Sequence, residues 1–405
     1  MIRNLRYINK AWWWERNWTH RFVFPMIGRI VEAMGRNVQI KPKTLLILRL
    51  DAIGDYVLFR NFLSLVKKNP SYKDYHVTLC GNLLWKSLAE TFDKEAVDDF
   101  FWIDVGKFYR EIKYRYKILK ELTQKGYEVI LNPISARAFI REDSIVHAVK
   151  ATHKVGCQTR IWENMLPAQK KVSDKYYTKL TPVKDHNQFE FFINQDFFNQ
   201  IIPVSANEQI KKPHFPVSDN KIDLPIKYAV IAPGANASFR RWNNANFAKV
   251  ADFIYENYQI QCVILGSKAD KVFAEEIAKN VKFADKLIDL TGKTSVVDMV
   301  NLIGNASLLV ANESSGTHIA VATDTPVICI SNGNHFGRFN PYPESITQKC
   351  KTVYPQEIKD LWHDKAQLIE LYAKGSSLNI NSIPPEEVIE CMKILLKKEQ
   401  QVEKT

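Results

Sequence analysis

From residue 44 onward, short apolar runs alternate with longer segments of helical period. Runs at 44–50, 75–80, 99–103 and 127–131 predict strands, and helical patterns fall between and after them at 55–68, 82–92, 108–124 and 138–149. Strands separated by helical crossovers make a parallel sheet with helices on both faces. The stretch 151–183 is less regular, and 185–201 reads as a helix. Pro203, Pro213, Pro216 and Pro225 then punctuate a segment without periodicity, which reads as a linker over 203–227. A second series follows, with strands at 228–232, 260–265, 287–290, 307–311 and 326–330 and helices at 243–257, 268–280, 294–304 and 315–323. The stretch 334–383 is irregular, and a last amphipathic helix at 384–398 opens on Pro384 and Pro385, as helix starts favour. The expected class is α/β. It comprises a helical extension (1–43), a first parallel-sheet domain (44–202), the linker (203–227), a second parallel-sheet domain (228–383) and a helix with its tail (384–405).

Composition adds one asymmetry. At 405 residues, 46% hydrophobic and 25% charged, the chain is of ordinary globular make-up and long enough for two cores. Its net charge of +12 is concentrated at one end: residues 1–43 hold nine Lys and Arg against Glu15 and Glu32. Trp12, Trp13, Trp14, Trp18, Phe22 and Phe24 lie among them. Two readings stand side by side. One is a helical extension packed on the first domain with its basic face in water. The other is peripheral contact with an anionic membrane surface, where Trp favours the interface. No run reaches the roughly 20 apolar residues that a spanning helix needs, and no apolar signal region follows the basic start. The six cysteines are scattered without a CxxC pair, which points to reduced buried thiols and a cytoplasmic setting rather than a zinc or disulfide framework. No nucleic-acid motif accompanies the positive charge.

Candidate chemistry sits where strands end. In Asp51-Ala52-Ile53-Gly54-Asp55, Gly54 permits a close approach and Asp55 enters the first turn of a helix. In Pro233-Gly234-Ala235-Asn236-Ala237-Ser238-Phe239-Arg240-Arg241-Trp242, small residues, amide and hydroxyl donors and two guanidiniums either suit a diphosphate or form a surface loop with a solvated Arg pair, with Trp242 as a core anchor under both readings. In Leu265-Gly266-Ser267-Lys268-Ala269-Asp270, the acid can accept from a ribose diol or simply start a helix. In Asn312-Glu313-Ser314-Ser315-Gly316-Thr317-His318, the free N–H groups at the start of a helix favour phosphate oxygens. His318 faces either that site or the packed helix start. The loop Asn332-Gly333-Asn334-His335-Phe336-Gly337-Arg338 lies on the same sheet edge.

Taken in order, these elements resemble glycosyltransferase family 9, the heptosyltransferases of bacterial lipopolysaccharide assembly. The first strand runs into a small-residue turn ending Gly54-Asp55. Pro233-Gly234-Ala235 is followed by Arg240-Arg241-Trp242. A Leu-Thr-Gly-Lys-Thr-Ser run occupies 290–295, and the Asn312 turn continues through His318 and Ala320 to Thr325-Pro326-Val327. The resemblance covers about 44–345 and is strongest over 228–330. It implies the GT-B architecture, two Rossmann-like domains facing a central cleft. It implies an inverting, metal-independent transfer from a nucleotide-diphosphate sugar, ADP-heptose by family default, as a co-substrate with no further cofactor. Asp55 matches the catalytic base. Arg240 stands where the family has a Lys on the donor diphosphate, and Asp270 matches an acid near the donor ribose. Glu313 replaces the usual Asp, and Ser315 stands where Gly is usual. Gly234, Ser238 and the turn from Glu313 through Ser314, Ser315, Gly316 and Thr317 to His318 complete the donor set. Asp51, Gly54, Lys113 and Lys117 form the acceptor set. The acceptor is expected to be an anionic, lipid-linked glycan met at the inner face of the bacterial inner membrane; the basic helix of Lys107, Arg110, Lys113, Arg115, Lys117 and Lys120 either faces its phosphates and sugar acids or is an ordinary solvated basic face. Rival readings are a nucleotide-sugar epimerase on the same scaffold and a non-catalytic sugar-nucleotide or glycan-binding protein.

Overall fold

The computed structural model describes residues 18–159, 167–185, 187–202, 209–219, 222 and 224–402. The Trp12-Trp13-Trp14 run and part of the linker lie outside them. Contacts divide the chain into two compact units: Met1–Ala52, Phe62–His186 and Ile193–Gln209 in one, and Ile53–Asn61, Asn187–Phe192 and Ile210–Thr405 in the other. The short helix that follows the first strand therefore groups with the second unit.

The first unit holds a parallel sheet of β1 (Thr44–Arg49), β2 (His76–Asn82), β3 (Asp99–Ile103), β4 (Tyr127–Asn132), β5 (Ala151–Cys157) and β6 (Lys179–Thr181), in the order β3-β2-β1-β4-β5-β6. Leu45, Leu46, Ile47 and Leu48 of β1 are fully buried, as a central parallel strand covered on both faces requires. The predicted strands 44–50, 75–80, 99–103 and 127–131 are all present, while β5 and β6 fall in the stretch that read as irregular. Two predicted helices are broken. The 55–68 segment is Ile53–Phe59 and Leu63–Lys68 joined by a 3-10 turn at Arg60–Phe62. The 108–124 segment is Val105–Arg110 and Ile112–Lys125, separated by Glu111 in an extended conformation. Helix Phe24–Met34 packs on this unit through Phe24, Ile27, Gly28 and Val31. Arg115, counted with the surface cations, is buried instead. Its guanidinium lies 4.4 Å from the Phe24 ring and 4.3 Å from Phe108, and it donates to Phe108 O and Ser144 Oγ.

The second unit repeats the plan with β7 (Tyr228–Ala232), β8 (Gln261–Ile264), β9 (Leu287–Asp289), β10 (Leu308–Asn312), β11 (Val327–Ile330) and β12 (Cys350–Val353), ordered β12-β11-β10-β7-β8-β9. Every strand pair in both sheets is parallel. Both sheets thus have the doubly wound order in which the chain reverses between the first and fourth strand. The reversal opens a crevice at the carboxyl ends of β1 and β4 in one unit and of β7 and β10 in the other. The last helix, Pro385–Val402, seals the second core with Val388, Met392 and Leu395. Among the described residues no helix is long and apolar enough to cross a membrane.

Candidate active site

At the carboxyl end of β10, Asn312 is fully buried and ties the two reversal-point loops together. Its Oδ1 accepts from Trp242 N at 3.1 Å, and its Nδ2 donates to Pro233 O at 2.7 Å. The loop after β7 is held further by Arg241, whose Nε donates to Ala235 O at 2.9 Å. Trp242 is the expected core anchor, donating to Ile383 O and edge-on to Phe247. With Arg241 spent on the loop, Arg240 is the guanidinium left for chemistry. Its Nη1 lies 3.8 Å from Glu313 Oε1, and its buried Nε donates to no described residue. Glu313 is buried and bonded by Ser331 Oγ. Burial pushes its carboxyl above the ordinary range, against the pull of Arg240.

Gly234 and Asp270 meet closely: a β-carbon at Gly234 would lie 2.7 Å from the Asp270 carboxylate. One oxygen of that carboxylate accepts from Ser267 N and Oγ at 2.8 and 2.7 Å in a capping box. Asp270 therefore starts its helix and borders the Gly234 loop at once. Ser238 is exposed on the same loop, in the 3-10 turn Ser238–Arg240. Ser314 is the extended residue before helix Ser315–Ala322, whose Gly316, Thr317 and His318 are buried in the first turns.

His318 joins this turn to the helix that carries Asp55. Its Nδ1 shares a 2.5 Å hydrogen bond with the Tyr342 hydroxyl, and a β-carbon at Gly54 would lie 2.7 Å from its Cδ2. Only glycine permits the Ile53–Phe59 helix to approach helix Ser315–Ala322 this closely. Burial, reinforced by the charge of Arg240, pushes the His318 imidazole down to about 4. Asp55 sits in the first turn of its helix, and Arg338 Nη2 lies 3.8 Å from its Oδ1. Arg338 is itself fixed, because its Nε donates to buried Glu190 at 3.0 Å and its carbonyl accepts from Glu190 N at 2.9 Å. Neither Arg338 nor Glu190 was marked as functional by the sequence. The signal in reach was a cation ending the Gly- and Asn-rich loop after β11.

The remaining residues belong to the first unit. Asp51 lies in the first unit, with Arg49 Nε 3.0 Å from its Oδ1 and its carbonyl accepting from Asn82 Nδ2 and Trp85 Nε1. Lys113 and Lys117 are exposed on helix Ile112–Lys125 of the same unit. Among the described residues no three His, Cys, Asp or Glu side chains converge as a metal-binding cluster.

The family model described as glycosyltransferase family 9 (heptosyltransferase) matches residues 115–361. The chain belongs to this glycosyltransferase family. Similar family members include lipopolysaccharide heptosyltransferase 3 of Escherichia coli K12, 24% identical over 318 residues that span 74% of this chain and 79% of the relative. A second Escherichia coli lipopolysaccharide heptosyltransferase 3 is 29% identical over 310 residues, 74% of this chain and 80% of its own. Among solved structures, a family 9 glycosyl transferase of Veillonella parvula superposes with a TM-score of 0.67 at 16% identity, covering 89% of this chain and 99% of that one. The Escherichia coli ADP-heptose lipopolysaccharide heptosyltransferase II gives 0.62 at 16% identity, covering 88% and 99%. An Escherichia coli heptosyltransferase solved with ADP-2-deoxy-2-fluoro heptose gives 0.61 at 12% identity, covering 86% and 99%. These likenesses agree with the two six-stranded parallel sheets and with the expected GT-B class.

Proposed function

We propose that this family 9 glycosyltransferase carries out an inverting, metal-independent transfer of a heptose-type sugar from an ADP-linked donor to an anionic, lipid-linked glycan of the lipopolysaccharide core. The single observation that carries the reading is the arrangement of Asp55 beside Arg338 on the unit that also holds Arg240 and Glu313. Asp55 takes the proton of the acceptor hydroxyl as its oxygen bonds to the anomeric carbon. The bond from that carbon to the diphosphate breaks on the opposite side, so the configuration inverts. Negative charge then grows on the leaving nucleoside diphosphate. Arg240, with its undonated Nε, and the N–H groups opening helix Ser315–Ala322 receive it. Arg338, 3.8 Å away, keeps Asp55 aimed. Asp270, beside Gly234, faces the donor ribose. Asp51, Gly54, Lys113 and Lys117 serve the acceptor. ADP-heptose serves as co-substrate, because heptosyltransferase relatives of this fold are known with such donors. The reaction runs in the cytoplasm. The domain division at 44–202 and 228–383 is part of this reading.

A calorimetric panel of ADP-, UDP-, GDP- and dTDP-sugars tests the donor, since a tight ligand raises apparent stability by mass action. Tightest binding of ADP-heptose, followed by transfer to a heptose-bearing core glycan with inversion, is the expected result. Turnover of the nucleotide sugar without any acceptor would replace this reading with an epimerase.

A further inference from the structure

Helix Phe24–Met34 and the turn before it present a second apolar face. Besides the packed residues Phe24, Ile27 and Val31, a line of Trp18, Phe22, Met26, Ile30 and Met34 recurs every four residues and is between 45% and 68% exposed. That spacing puts the line on one side of the helix. Ile112 of the neighbouring helix Ile112–Lys125 is 46% exposed, and the Tyr116 hydroxyl of that helix donates to the Met34 sulfur at 3.6 Å. Scattered exposed apolar residues need no explanation, but a continuous line of this length does.

Charge indicates what covers it. Arg29 on the first helix, Arg36 in the 3-10 turn Gly35–Asn37 that follows it, and Lys113 and Lys117 on the second helix are exposed. Glu32, the one acid of the first helix, lies with Oε2 3.1 Å from His147 Nε2. The sequence of residues 1–17 adds four cations, one acid and three successive tryptophans. A second copy of the chain would bring like charges together across such a face. A bilayer with anionic headgroups accepts both the apolar line and its basic border.

We infer that this line is a docking surface for an anionic lipid bilayer, with the helix lying in the plane of the headgroups. Met26, Ile30 and Met34 enter the acyl boundary, Trp18 sits at the interface, and the cations meet lipid phosphates. The inference does not depend on the donor or the acceptor, because vesicle binding is read without either.

The test is co-sedimentation of the full chain with vesicles of phosphatidylglycerol and phosphatidylcholine, against pure phosphatidylcholine, at low and at physiological salt. The expected result is a clear preference for the anionic vesicles that weakens with salt. Met26→Asp combined with Ile30→Asp lowers partitioning by about tenfold or more, with melting temperature and ADP binding unchanged. Both positions are exposed, and Met26→Gln with Ile30→Gln serves as the milder pair should the aspartates disturb folding. Equal partitioning of the variant pair and the wild type overturns the inference, as does equal binding to both vesicle types. A variant pair that keeps vesicle binding but loses self-association assigns the line to a second copy. Loss of binding only on removing residues 1–17, with the pair without effect, assigns membrane contact to those residues instead.

Discussion

The turns after β1 and after β10 look alike in sequence and are used in opposite ways. Each ends a buried strand, passes through acidic and small residues and opens a short helix. After β10 the turn keeps its charges at home. Glu313 faces Arg240 and Ser331, Asn312 laces the adjoining loop, and helix Ser315–Ala322 packs under its own sheet. After β1 the two acids part. Asp51 stays with its sheet, beside Arg49 and held through its carbonyl by Asn82 and Trp85, whereas Asp55 leaves on a helix that groups with the other unit and meets Arg338. Two carboxylates four positions apart thus have different duties. One secures a strand end, and the other is carried to the residues that hold the donor in the proposed reaction.

That contrast can be broken most severely at Asp55. Asp55→Asn should lower the transfer rate by about 10²–10⁴-fold while leaving donor affinity nearly intact, whereas Asp51→Asn should act on acceptor affinity and melting temperature rather than on the chemical step. Next in size is Arg240→Ala. A charge-assisted contact to diphosphate is worth roughly 1.5–3 kcal/mol, so calorimetric donor affinity should drop by about 10–100-fold. Arg240→Lys should recover most of it, and recovery by alanine alone would remove the residue from the site.

Arg338→Met should cost about tenfold in kcat with little change in donor affinity, and should move the acid limb of the pH–rate profile to higher pH. That shift follows because loss of a neighbouring cation raises a carboxyl. Arg338→Lys should restore the limb in part, which a purely structural role would not do. Gly54→Ala sharpens the same comparison through packing. Its methyl would fall 2.7 Å from His318 Cδ2, so the helix must shift, at a cost of about 1–3 kcal/mol seen in the melting curve.

The most gradual effect is one of pH. The folded His318 imidazole is pushed down to about 4, against 6.5 as its ordinary value. Between those limits the unfolded chain binds a proton that the folded chain refuses. Stability is therefore whole above about 6.5 and falls as the pH drops toward 4, by at most about 1.4 kcal/mol per pH unit. Glu313, raised above 4.5 by burial, acts in the other direction as the pH falls. Subtracting the His318→Asn curve from that of the wild type isolates the histidine, and a flat difference would remove the assignment.

Much of this was legible in the residues. The central strands announced themselves because burial on both faces demands unbroken apolar runs, as in Leu45-Leu46-Ile47-Leu48 and Leu308-Leu309-Val310. Three outlying strands did not, although the edge strands β3 and β9 did. β5 begins Ala151-Thr152-His153-Lys154, β6 has three residues, and β12 reads Cys350-Lys351-Thr352-Val353. Strands this short or polar are defined by the neighbour they pair with rather than by their own pattern. The strand-end turns were legible because the reversal of strand order must place them at one crevice. Arg338 and Glu190 were not, since their pairing joins residues 148 positions apart and no local spacing encodes it. The departure of the Ile53–Phe59 helix from its sheet was equally silent, because its apolar Tyr56, Val57, Leu58 and Phe59 would bury as well against either unit.

The central claim is that Asp55 acts as the base and that Arg338 holds it in place. The most direct measurement is the single-turnover transfer rate of Asp55→Asn, Arg338→Met and the double variant, each saturated with donor. Residues that act through one another are non-additive. The double variant should be no slower than Asp55→Asn alone, within about threefold. A double variant slowed by the product of the two single losses, or an Asp55→Asn protein that turns over at the wild-type rate, would contradict the account.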